Sequence, residues 1–141
     1  MKKGERVTDI HTVISYSKDA TLLYVEDNAD TREMTTMLLE EFFESIVVAK
    51  DGEDGLEKFQ ANQIDMVLTD INMPKFNGIE LCKKIRTIDK EVKLVLFSAQ
   101  SKEDFSEEDL AVDVDGYLFK PLDMEQIMLL IVKLFHEKTE S

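Results

Sequence analysis

Five polar residues each stand just past a short apolar run. Glu26 and Asp27 follow Leu22–Val25, Asp70 follows Met66–Leu68 and Thr69, Ser98 follows Leu94–Phe97, and Lys120 follows Tyr117–Phe119. Brought together, they amount to three carboxylates, a hydroxyl and an ammonium. Two like charges 4 Å apart repel by about 4 kcal/mol at an effective dielectric of 20, and one lysine offsets only part of that. A divalent cation is therefore expected, and hard oxygen ligands with access to water suit Mg²⁺, whose shell a phosphate can complete. Metal, ammonium and hydroxyl around one carboxylate oxygen describe phosphoryl transfer onto Asp70, since carboxylates act as nucleophiles in forming aspartyl phosphates.

The elements that must position these groups can be read from the apolar pattern. Five runs recur: Leu22–Val25, Ile46–Ala49, Met66–Leu68, Leu94–Phe97 and Tyr117–Phe119. None alternates apolar with polar, as expected of parallel strands covered on both faces. Helical spacing fills the gaps: Met34, Met37, Leu38 and Phe42; Leu56 and Phe59; Ile79, Cys82 and Ile85; and finally Ile127, Met128, Ile131, Leu134 and Phe135. Asn28, Asn77 and Asp123 read as helix starts, whereas Asp51-Gly52 reads as a plain turn. Strands alternating with helices predict a doubly wound α/β fold with helices on both faces. In such sheets, ligands bind at the carboxyl edge where the strand order reverses. The order 2-1-3-4-5 gathers Glu26, Asp27, Asp70, Ser98 and Lys120 into one cleft and leaves strand two outside it.

A chain of 141 residues suggests one domain. Residues 1–18 read as an N-terminal tail or lead-in helix, with Val7, Ile10 and Ile14 as a weak stripe, and residues 19–138 as the domain. The formal net charge of −13 argues against nucleic acid and against an anionic membrane surface as partners. A single cysteine, Cys82, excludes an internal disulfide, and the longest apolar run, Ile127–Val132, is far too short to span a bilayer. A cytoplasmic setting is expected. Residues 102–115 hold seven acids and one base, which predicts a short, mobile fourth helix.

Four stretches in order, Leu22-Leu23-Tyr24-Val25-Glu26-Asp27-Asn28, Val67 through Gly78 with Asp70 and Met73-Pro74, Phe97-Ser98-Ala99, and Gly116-Tyr117-Leu118-Phe119-Lys120-Pro121, resemble the receiver domain of bacterial response regulators, a flavodoxin-like fold. The resemblance covers residues 19–137. It implies that Asp70 accepts a phosphoryl group from a histidine kinase or a small acyl phosphate. It also implies Mg²⁺ on Asp27, Asp70 and the backbone carbonyl of Asn72, with Glu26 acting through a bound water. Lys120 would pair with the phosphoryl oxygens and Ser98 would donate to them. Tyr117 would swing inward as Ser98 moves, altering the face formed by the fourth helix, the fifth strand and the fifth helix. That face would meet a downstream protein target or a second copy as a homodimer. A cis bond before Pro121 is implied, and Asn72 and Gln100 fall where the family tunes phosphate loss. The chain would be a switch with self-assisted phosphoryl chemistry, not an ordinary enzyme.

Other readings remain alongside. The sequence could be the receiver portion of a longer regulator or hybrid kinase. A Mg²⁺-dependent aspartyl-phosphate phosphatase shares the strand-end aspartate, but needs an acid two residues later, where Asn72 stands. Cys82 and the methionines at 34, 37, 124 and 128 read as core filler, and His11 and His136 as solvated. Asp113-Val114-Asp115 stands where the family often places Gly-Ala, and Glu91-Val92-Lys93 lacks its usual proline. The last helix is apolar over a wider arc than one sheet face needs, which predicts a cover: a partner, a second copy or the lead-in helix.

Overall fold

The computed structural model describes residues 9–99 and 113–136. Its elements are α1 (Ile10–Ser17), β1 (Thr21–Val25), α2 (Ala29–Leu39), β2 (Ser45–Ala49), α3 (Gly52–Ala61), β3 (Met66–Asp70), α4 (Gly78–Ile88), β4 (Lys93–Ser98), β5 (Gly116–Phe119) and α5 (Met124–Ile131), the last continued by a π-helical turn, Val132–His136. The five strands form one parallel sheet in the order β2-β1-β3-β4-β5. Gln100 and most of the acidic stretch assigned to a fourth helix lie outside the described residues. No described helix is long and apolar enough to cross a membrane.

Two apolar layers cover the sheet. One joins Leu22, Tyr24, Leu68, Val95 and Phe97 to α1, α2 and α5. The other joins Leu23, Val25, Val67, Leu94 and Leu96 to α3 and α4, with Cys82 fully buried in it. Burial pushes the Cys82 thiol up to about 12. β1, β3 and β4 are buried along nearly their whole length, as their unbroken apolar runs require. β2 departs from expectation. It lies at one edge of the sheet, and Ser45 and Val48 are exposed, with the Val48 carbonyl accepting from Lys58 Nζ at 3.0 Å.

The helix starts are polar caps. Asn28, Asn77 and Asp123 each accept from a backbone N–H in the first turn, and Asn77 forms a full capping box with Glu80. Asp51 does the same for α3, so the expected plain turn there is a helix start.

α2 corrects a second expectation. Met34 and Met37 are 72% and 64% exposed, while Thr35 and Leu39 face the sheet. The buried arc is rotated by one residue because Thr35, Leu39 and Phe42 also follow a helical period. Met124 is exposed as well, and among those four methionines only Met128 is core filler.

The wide apolar arc of the last helix is covered by α1. Val13 and Ser17 are fully buried, Ile10, Ile14 and Tyr16 pack into the same layer as Leu134 and Phe135, and Ser17 Oγ donates to the Phe42 carbonyl at 2.6 Å. Replacing Val13 with aspartate would bury a charge with no partner, and is expected to cost about 3 kcal/mol or more in urea denaturation. Ile14→Asp, at a half-buried site, should cost less.

Candidate functional site

The strand order places the ends of β1, β3, β4 and β5 side by side. Oxygen atoms of Glu26, Asp27 and Asp70 lie within 4.8 Å of one another, with Glu26 and Asp70 buried and Asp27 exposed. Lys120 reaches in from the end of β5, its Nζ 3.0 Å from Glu26 Oε1 and 3.4 Å from Asp70 Oδ1. Ser98 is buried at the end of β4, beside Phe119 in register, and its carbonyl accepts the Lys120 N–H at 2.8 Å. The sequence-derived acids, lysine and serine therefore share one strand edge. Asn72 is exposed in the loop after β3, and Tyr117 is half-buried, packed against the layer that holds Cys82. Burial and the neighbouring Cys82 raise the Tyr117 phenol above its usual range.

The electrostatics follow from this crowding. Burial first, then the Glu26 charge, push the Asp70 carboxyl up to about 6, against the pull of Lys120 and of the Ile71 N–H, which donates to Oδ1 at 2.8 Å. Burial alone would lower Lys120, but Glu26 and Asp70 outweigh it and hold the ammonium above its ordinary value. Glu26 is only 1% exposed and is ringed by donors: Lys120, the Tyr24 hydroxyl at 3.3 Å on Oε1, and the Asn28 N–H at 3.3 Å on Oε2. Arg32 Nη1 donates to the Glu26 carbonyl at 2.8 Å, pinning the start of α2 to the acid pair. An all-oxygen donor set of three carboxylates fits a hard divalent cation.

Several residues that build the site carry no distinctive signal in the sequence. Gln126 grips both sides of Lys120: its Oε1 accepts from the Phe119 N–H at 2.9 Å, and its Nε2 donates to the carbonyls of Phe119 and Pro121 at 2.9 and 3.2 Å. The Lys120–Pro121 bond is cis. Arg86 ties α4 to the chain entering β5, donating to the Val92 carbonyl at 2.8 Å, and to the Asp113 carbonyl and the Asp115 carboxylate at 3.2 Å each. Asp115 in turn accepts the Leu94 N–H at 2.8 Å. The acids that replace the family's glycine-alanine pair are thus structural partners of Arg86. A Cβ on Gly52 would strike the Phe76 carbonyl, so the supposed turn glycine is where the loop after β3 rests on α3.

An open parallel sheet with a buried aspartate at a strand end, flanked by two more acids and a lysine, defines an aspartate-centred receiver architecture. Residues 22–132 match the response regulator receiver domain family, and the chain belongs to it. The chemotaxis protein CheY of Treponema pallidum is 36% identical over 110 residues, covering 76% of each chain. The response regulator ArlR of Staphylococcus saprophyticus is 30% identical over 85% of this chain, but the match spans only 54% of that longer protein. Among solved structures, the CheX-CheY-BeF3-Mg+2 complex from Borrelia burgdorferi contains a similar chain, with 30% identity, a TM-score of 0.73, and coverage of 84% of this chain and 90% of that one. The protein is a receiver domain of the two-component response regulators.

Proposed function

We propose that this receiver takes a phosphoryl group from a histidine kinase, or from a small acyl phosphate, onto Asp70. The observation that carries the reading is the placement of Asp70: a buried carboxylate with two acids within 4.8 Å and an ammonium at 3.4 Å. The Lys120 ammonium at 3.4 Å favours the ionised carboxylate, the form that acts as the nucleophile. The Asp70 oxygen bonds to phosphorus as the donor's P–N or P–O bond breaks, and the leaving group takes the electron pair. Lys120 is positioned to neutralise the incoming phosphoryl oxygens and Ser98 to donate to them. Asp27, Asp70 and the Asn72 carbonyl would hold Mg²⁺, with Glu26 at one remove. When bound, the metal supplies charge neutralisation at the oxygens of the transferring group. Asn72 and Gln100 would set how fast the phosphate is lost.

The signal would leave through Ser98 and Tyr117 toward the face built on β5 and α5, where Leu129 is exposed. A downstream protein, or a second copy of the chain, would read it there. The charge change at Asp70 biases a two-state element, and the partner binds one state better. The relative from Borrelia burgdorferi, whose complex holds CheX, BeF3 and Mg+2 together, supports this reading. On this reading the protein would work in the cytoplasm as a switch, not as an enzyme with a small-molecule product.

The test is direct. With acetyl phosphate and Mg²⁺, intact mass should rise by one phosphoryl group, and Asp70→Asn should stay unmodified. Equal labelling of the asparagine variant would place the acceptor elsewhere. Catalytic turnover of free phosphate esters would favour a phosphatase.

A further inference from the structure

Tyr24 has no part in the chemistry above, yet its hydroxyl ends at the site. The side chain is fully buried under the sheet edge, 6.3 Å ring to ring from Phe97, and Lys120 Nζ lies 5.3 Å from that same Phe97 ring. The phenol O–H points at Glu26 Oε1, the oxygen that Lys120 also holds. Thr35 on α2 also stands within hydrogen-bonding reach of the hydroxyl. The Tyr24 contact, at 3.3 Å, is long for an O–H···O bond, whereas Lys120 sits on the same atom at 3.0 Å.

We infer that Tyr24 is a standby donor: a positioning residue that takes over Glu26 when Lys120 leaves it for a phosphoryl group on Asp70. This rests on the phosphoacceptor reading of Asp70. In the free site, Lys120 divides itself between Glu26 and Asp70. Added phosphoryl oxygens draw the ammonium toward Asp70 and strip Oε1 of its strongest partner. Glu26 is nearly sealed from water, and a buried carboxylate that loses a donor is penalised unless another replaces it. The Tyr24 hydroxyl is already aimed at that atom and need only shorten its contact. Phenylalanine at position 24 would fill the same space but offer no hydrogen. The effect of losing the hydroxyl should therefore fall on the phosphorylated state and spare the free one.

The experiment is a double-mutant cycle between Tyr24→Phe and Glu26→Gln, read by binding and not by turnover. Amide NMR titrations measure first Mg²⁺ alone, then beryllofluoride at saturating Mg²⁺, with urea midpoints of the metal-free proteins confirming that each variant folds. Tyr24→Phe should bind Mg²⁺ within about twofold of the parent and lose roughly five- to tenfold in beryllofluoride affinity, the scale of one ordinary net hydrogen bond, since part of the contact is already made in the free site. In the Glu26→Gln background the same change should have no effect, because no buried charge is left to rescue. Unchanged beryllofluoride affinity in Tyr24→Phe, or an equal loss in both backgrounds, overturns the role and makes Tyr24 a packing residue. If the parent protein itself binds no beryllofluoride, the phosphoacceptor reading falls and this one with it, whereas parent binding with an indifferent Tyr24→Phe removes only the standby donor.

Discussion

Asp70→Asn protein should be more resistant to urea than the parent, although it should accept no phosphoryl group. The parent carboxylate is held in a site that disfavours its charge, through burial and the proximity of Glu26, so its pKa rises from 3.8 to about 6. A carboxyl whose folded pKa lies above its unfolded value binds its proton more tightly in the native state. The stability this contributes is present below pH 4 and is lost as pH climbs through 6. Above that range the metal-free parent carries an unfavourable charge that the neutral amide lacks. That penalty is already net of the attraction of Lys120, and solvent screening and relaxation around the site bring the expected gain to about 1–2 kcal/mol. Urea denaturation in chelator at several pH values between 4 and 8 checks this. The difference between variant and parent should open as pH rises and be smallest at the acid end. Added Mg²⁺ should stabilise the parent more than the variant, which offers one anionic ligand fewer. A variant less stable than the parent at pH 8 without metal would mean that Lys120 more than compensates the crowding of the acids.

Gly78→Ala should be the most damaging glycine-to-alanine change among the described residues. A Cβ at position 78 would collide with the carbonyl oxygen of Asp70 and lie 3.0 Å from its carbon and 3.1 Å from Ile71 Cα. All three are backbone atoms, and the Gly78 N–H already donates to the Ile71 carbonyl at 2.8 Å. No rotamer can relieve such a contact, so the start of α4 must move away from the end of β3. A cost of about 2–4 kcal/mol is expected, together with loss of phosphoryl uptake, because Asp70 itself is displaced. Gly55→Ala is the matched control. Its Cβ would meet only side-chain carbons, of Val25 and Leu81 at 3.0 and 3.3 Å, which can shift by a few tenths of an ångström. Thermal melts and acetyl phosphate labelling of the two variants should separate clearly. A Gly78→Ala protein with parental stability would show that the loop after β3 is looser than its packing suggests.

The residues gathered at the strand edge were legible because each interrupts an apolar run. A buried parallel strand must be apolar throughout, so a charged residue marks its end, and the sheet order then decides which ends meet. That logic reached Glu26, Asp27, Asp70, Ser98 and Lys120, the five-stranded order and most of the helix caps. It could not reach Tyr24, Gln126 or Arg86, whose types are commonplace in a strand or helix and whose roles depend on what lies across the fold. Tyr24 lies within the first apolar run and is fully buried in the core. Only the distance from its hydroxyl to Glu26 shows that it has a polar end to place.

α2 shows the limit of periodicity. Met34 and Met37 share a helical spacing with Leu38, but Thr35 and Leu39 define an equally regular stripe one residue further round, and a threonine on the inner face hides it. The cover for the last helix was foreseeable as a need, since α5 is apolar on more sides than the sheet can shelter. That α1 supplies it is a matter of tertiary packing.

Cys82, the sole cysteine of the chain, sits sealed among Ile79, Leu81 and Ile85 with its thiol held protonated far above neutrality. Thiol-specific reagents attack the thiolate, so they can reach it only when α4 lifts from the sheet. The protein thereby carries an internal gauge of its own breathing: the pace at which an alkylating agent is consumed records how often that helical layer opens, without any label having to be introduced.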